Sequence, residues 1–185
     1  MPPNEAKGGI DYKLESGREM KNNPGAEKTD PLLTTAIDYL TFLAESERTF
    51  GAATALLKFG HQFEPKKKLP AWASRGASRQ CFANATKVLI SRIGVSGGEV
   101  YYTEGYAISR VGISVPIQHA WLVDKKGMAI DPTWTDSSED FYFGITFRTQ
   151  FVLQMLDQAN GMCGLLVNPP LMRRQYSTAE LVTRI

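Results

Sequence analysis

Cysteine and histidine are scarce in this chain, two of each in 185 residues. Cys81 and Cys163 are too few for a disulfide framework and suit a reducing compartment. Even with both histidines they do not make a typical structural zinc set, so neither a metal nor a cofactor is expected. Charge of one sign is also lacking: 21 Lys and Arg against 19 Asp and Glu leave a net charge of +2. That gives no broad basic field, and a nucleic-acid partner is not expected. No apolar run approaches the roughly 20 residues of a membrane-spanning helix, so no membrane partner is expected. The opening residues hold no apolar stretch like a signal peptide. A cytoplasmic location is the expectation, although a phage or effector protein exported without a cleaved leader would look the same. Internal repeats and low-complexity tracts are missing too.

What is present is an ordinary globular composition, 43% hydrophobic and 22% charged. The length suits a single domain with a sizeable core. Residues 1–30 are rich in Gly, Pro, Asn, Lys and Glu, and too poor in large apolar side chains to offset the entropy of ordering. They are expected to form a flexible arm ahead of one domain over 31–185. Asp30 and Pro31 form an N-cap and first helical position, followed by Leu32, Leu33, Ala36, Ile37, Leu40, Leu43 and Ala44 at helical spacing. A second helix is expected over about Phe50 to Phe59. A loop follows from His61 to Arg79, bracketed by Pro65 and Pro70. A third helix opens near Cys81, with Ser78 or Ser74 as its cap, and stops at the glycines from Gly94. Strands are expected at about 99–108, 117–124, 127–133 and 141–147. A further helix capped by Thr149 runs to Gly161, and Ser177 and Glu180 take capping-box spacing in the tail. The fold class is α+β: a helical layer and the Cys81 helix packed on an antiparallel sheet.

Three residues in this layout have the chemistry of a cysteine nucleophile site. A helix start offers free backbone amides and the positive end of the helix dipole, both favouring thiolate over thiol at Cys81. Arg75 and Arg79 nearby would add to that effect. Most free cysteines are only small packing residues, so the strand "IQHAWLVD" matters. His119 shares one of its faces with Trp121 and Val123. If Lys125, Lys126 and Gly127 form a three-residue turn with Gly127 left-handed, Trp121 faces Asp131. His119 then lies one diagonal step from Asp131 on the same face, within side-chain reach. A two-residue turn would put Asp131 on the other face.

Thiolate attack, proton transfer by imidazole and a carboxylate to orient the ring are the three parts of cysteine acyl-transfer catalysis. Cys81, His119 and Asp131 supply them. The Cys81 amide is a candidate oxyanion donor, joined by the side chain of either Gln80 or Gln118. Trp134 is a candidate wall of the substrate groove, as is Tyr106, with Glu104 its alternative. Trp121 is assigned to the core. His61 follows a helix end and is read as a partner of that helix's C-terminus. Cys163 is read as a core residue, and Lys66 to Lys68 as a solvated loop.

The stretches "QCFANATKVL", "YYTEGYA" and "HAWLVDKKGMAIDPTW" together resemble the core of the transglutaminase-like branch of the papain-like cysteine protease superfamily. The resemblance covers about residues 78 to 135. It implies Cys81 as nucleophile, His119 as base and Asp131 as orienter, on a papain-like core. It further implies a thiol hydrolase or acyltransferase (protease, amidase or glutamine deamidase) acting on a protein or peptide. "QCF" stands where the family more usually has a glycine-rich lead into the cysteine. An amine-accepting transglutaminase, or a non-catalytic protein-binding module or effector on the same fold, are the alternatives.

Overall fold

The computed structural model describes residues 30–97, 99–111, 114–135, 137–159, 161, 164–168 and 181. The expected arm before Asp30, Cys163, and Ser177 with Glu180 lie outside the described residues. Helix α1 spans Pro31–Ser46, and the Asp30 carboxylate caps it by accepting from the Leu32 amide at 3.0 Å. Helix α2 spans Ala52–Phe59, two residues shorter than expected at its start. The Glu47 carboxylate explains the difference: it accepts from the Ala53 and Thr54 amides at 2.8 and 3.0 Å, doing a cap's work from outside the helix. Strand β1 follows at His61–Pro65, then α3 at Cys81–Arg92, β2 at Val100–Ile108, β3 at Ile117–Asp124, β4 at Met128–Ile130, β5 at Phe141–Phe147 and α4 at Thr149–Gln158.

The strands close into a barrel in the order β1-β4-β3-β2-β5, with β5 returning to β1. All pairings are antiparallel except β1 with β4. Residues 61–65, expected as loop, are thus the strand that closes the sheet. Only Phe63 among them is buried, and their partners lie more than 60 residues away, so the segment carries little local strand pattern. Lys66, expected to be solvated, forms an ion pair with Asp124 at 2.7 Å beside that closure.

Each strand separates two layers by alternation. One face packs under the helices, where Leu40, Leu56, Ala85 and Leu89 meet Tyr102, Leu122, Ile145 and Phe147. The other face turns inward, and Phe63, Ala107, Trp121, Val123, Ala129 and Tyr142 fill the barrel. Leu40 and Leu56 are completely buried, each contributing about 1.5–3 kcal/mol by leaving water. Among the described residues no helix is long and apolar enough to cross a membrane.

Two helix starts differ from expectation. Gln80 occupies the N-cap of α3, neither it nor Ser78 nor Ser74 making a side-chain cap. Arg148, not Thr149, occupies the N-cap of α4, again without a side-chain bond. The hairpin joining β3 and β4 has the expected register, with Leu122 opposite Ile130 and Val123 opposite Ala129. Gly127 sits at φ +76°, and its amide donates to the Asp124 carbonyl at 3.0 Å. The Asp124 side chain closes the turn further, accepting from the Lys126 and Met128 amides at 2.9 and 3.1 Å. Strand β4 ends at Ile130, short of the expected residue 133. Pro132 has no amide to donate, and the Asp131 side chain takes the amides of Thr133 and Trp134 instead.

Candidate active site

Cys81 is the first residue of α3, almost buried at 8% exposure. His119 and Asp131 are 2% and 3% exposed, on β3 and just after β4. Imidazole Nε2 meets Asp131 Oδ2 at 2.7 Å. That leaves Nδ1 for the thiol, and Cys81 and His119 lie close enough to shift each other's pKa. The structure therefore brings the three expected residues together in one chain of contacts.

The carboxylate is held on every side. Tyr142 Oη donates to Oδ2 at 2.9 Å, while the Thr133 and Trp134 amides donate to Oδ1 at 2.6 and 3.1 Å. Burial alone would raise the Asp131 pKa, but the hydrogen bond and charge of His119, with those two amides, hold it below the usual carboxylate range. Burial and the neighbouring carboxylate together push the Tyr142 phenol up, so it stays a donor.

The same balance sets the other two groups. Burial disfavours a charged imidazole, yet Asp131 on one side and Cys81 on the other raise His119 to about 9. Burial also disfavours the thiolate, but the hydrogen bond and charge of His119 and the amides of Ala120 and Phe82 bring Cys81 below an ordinary thiol. The absence of a side-chain cap on α3 leaves its first amides free to serve the sulfur. Each partner thus favours the charged form of the other.

Aromatic rings enclose the imidazole. Trp134, half-buried, lies across it with centroids 4.6 Å apart and planes 32° from parallel. Trp121, fully buried as expected, and Tyr142 each stand 6.3 Å away inside the barrel. Gln80 is exposed and directly precedes Cys81; Gln118 shares with Ala120 the face of β3 on which α3 packs. Both adjoin residues that touch the sulfur, and both remain candidates for the oxyanion. Tyr106 pairs with Gln118 across the strands, and its ring packs edge-on against Tyr39 of α1 at 5.4 Å. Glu104 is buried and accepts from Tyr102 Oη and the Leu165 and Leu166 amides, which places it in structure and not in a groove.

Arg75 and Arg79 do not act on the thiol as expected. The groups that lower the Cys81 pKa are His119, Ala120 and Phe82. Arg75 instead reaches the carbonyls of Asp131, Trp134 and Thr135. Arg79 is exposed in a left-handed backbone conformation, φ 62°. His61 bonds the Phe59 carbonyl at the end of α2, in keeping with its expected place. Tyr142, Asn84 and the Ala120 amide were not foreseen. The first two reach the site through contacts 11 and 49 residues apart in sequence, and the amide only by the packing of α3 on β3, so no local pattern announces any of them. Among the described residues, no group of three or more His, Cys, Asp or Glu could hold a metal ion.

No family model, curated protein or solved structure matches this chain.

Proposed function

We propose that the chain is a cysteine enzyme of acyl transfer, built on a papain-like core of the transglutaminase-like kind, with Cys81 as nucleophile, His119 as base and Asp131 as orienter. The observation that carries this reading is the buried chain of contacts from thiol to imidazole to carboxylate. The order Cys, His, Asp along the sequence, and a nucleophile opening a helix that packs on the histidine strand, support the same family.

In this reading the Cys81 thiolate attacks the carbonyl carbon of an amide in a protein or peptide. The carbonyl electrons move to oxygen, which the Cys81 amide and the side chain of Gln80 or Gln118 receive. His119, carrying the proton, gives it to the departing amine as the C–N bond breaks, leaving a thioester and neutral imidazole. Water then gives a proton to His119 as its oxygen attacks the thioester, and the released carboxylic acid frees the thiolate and the imidazolium. Asp131 keeps Nε2 occupied, so Nδ1 always faces the chemistry. Water is the default acceptor wherever solvent reaches the thioester. A substrate amine in its place would form an isopeptide bond. A purely binding module gives no reason for a buried thiol set beside an imidazole and a carboxylate.

Incubating the protein with a cell extract, followed by mass spectrometry, separates these outcomes. New peptide termini mark a protease, Gln-to-Glu changes a deamidase, and isopeptides a transglutaminase. None of the three above the level of Cys81→Ala would sink the enzyme reading.

A further inference from the structure

We propose that Arg75 is a positioning residue, holding the Asp131 to Thr135 loop so that the carboxylate and the Trp134 ring stay registered on His119. The proposal rests on the triad reading above. The loop leaves β4 at Ile130 and makes no ladder of its own. Its carbonyls need donors from outside a ladder. One guanidinium supplies several. Arg75 Nη1 donates to the carbonyls of Asp131, at 3.5 Å, and Trp134, and Nη2 to that of Thr135 at 2.7 Å. A planar fork with several donors can span carbonyls at both ends of a turn, which a lysine ammonium cannot.

Neighbouring contacts make the same connection. The Gly76 amide donates to the Pro132 carbonyl at 2.9 Å. Asn84 Nδ2, buried one turn into α3, donates to Thr133 Oγ1 at 3.0 Å and to the Ala77 carbonyl at 2.7 Å. A Cβ at Gly76 would lie 1.9 Å from Asn84 Oδ1, so the clasp closes without room for a side chain there. Residues on both sides of the nucleophile therefore grip the loop that carries the acid. Cys81 and Asp131 are thus tied to each other by contacts beyond those of the strand hairpin.

The sign of one measurement separates positioning from a direct charge effect. Arg75 is exposed, and its cation alone would disfavour a charged His119, so its removal would raise the imidazole pKa. Loss of positioning weakens the Asp131 contact and lowers it. The chain has only two histidines, so side-chain NMR titration of the full-length protein reads His119 with His61 as internal control. In the wild type His119 is expected to titrate near 9. Arg75→Ala should lower that midpoint by about one pH unit or more, and Arg75→Lys by a smaller amount, with His61 unmoved. An unchanged or raised His119 midpoint in the variants, beside a wild type near 9, overturns the positioning role alone. Should Arg75→Ala not fold, an unchanged midpoint in Arg75→Lys suffices. A wild-type His119 titrating at its ordinary value, about 6.5, would instead defeat the triad reading and this inference with it.

Discussion

An imidazole between a buried carboxylate and a thiol makes the thiol's reactivity a property of the pair, and this gives the residue scale its sharpest test. At pH 6.5 an ordinary cysteine is about 1% thiolate. Paired with His119, which lowers its pKa, Cys81 should hold a larger share of thiolate there, although its lower basicity offsets part of the gain in reactivity. In a Cys163→Ser background, iodoacetamide should therefore alkylate Cys81 measurably faster than it alkylates the His119→Ala protein at that pH. Equal rates would mean that the contact does not activate the thiol. Tyr142 offers a second test through the third member. Tyr142→Phe removes a hydrogen bond to a charged acceptor and should cost about 1.5–3 kcal/mol in urea unfolding at neutral pH. The Asp131 pKa is depressed, so its contribution to stability exists above its unfolded value and disappears as pH falls through the folded one. With one donor gone the depression shrinks, so the Asp131 contribution should be smaller, and the less stable variant should reach its acid-unfolding midpoint at a higher pH than the wild type does. Acid-unfolding curves that coincide in midpoint pH would show that Tyr142 does not hold the carboxylate.

Between β3 and β4 the controlling element is a turn. Side chains alternate along a strand, so a shift of one residue moves every one of them to the other face. Gly127 holds a left-handed conformation that costs other residues about 1–2 kcal/mol. Gly127→Ala should lower stability by about that amount and leave Cys81 reactive, because the length of the turn is kept. Deleting Ala129 keeps the turn and brings Asp131 opposite Leu122, on the face of Ala120. The deletion protein, shown folded by near-ultraviolet circular dichroism, should then alkylate at the His119→Ala rate; wild-type reactivity would mean that the register does not place the acid. This hairpin was legible in the sequence because its determinants, Asp124, Gly127 and the alternation around His119, lie within a dozen residues. Strand β1 was not, since Phe63 is its single buried side chain and its partners come from β4 and β5. The roles of Arg75 and Asn84 were hidden for the same reason: a charged residue before a cysteine helix reads as thiolate support until the 131–135 loop is seen to occupy it.

At the scale of the whole molecule, the site depends on a barrel whose outer face must stay covered, and Glu104 is where that cover is fastened on the β2 side. From the middle of β2 its carboxylate accepts from Tyr102 Oη at 2.7 Å and from the Leu165 and Leu166 amides at 2.6 and 2.8 Å. Leu165 and Leu166, just after α4, are buried in the same core as Leu89 and Val152. Burial raises the Glu104 pKa, and the bonds from Tyr102, Leu166 and Leu165 only partly oppose it. A carboxyl raised in this way contributes stability that is fully present below its unfolded pKa, about 4.3, and is lost as pH climbs through the folded value. Glu104→Gln has nothing to titrate, so its unfolding free energy should lack that decline and converge on the wild type toward pH 4. Glu104→Ala removes the acceptor of three donors at once and should lose about 3 kcal/mol or more at any pH. Urea unfolding of the three proteins from pH 4 to 8 checks both statements; parallel Glu and Gln curves would show that this carboxyl does not titrate with folding. Folded Glu104→Gln should keep wild-type Cys81 alkylation at neutral pH, because the residue faces the helical layer and none of its bonds reaches the imidazole.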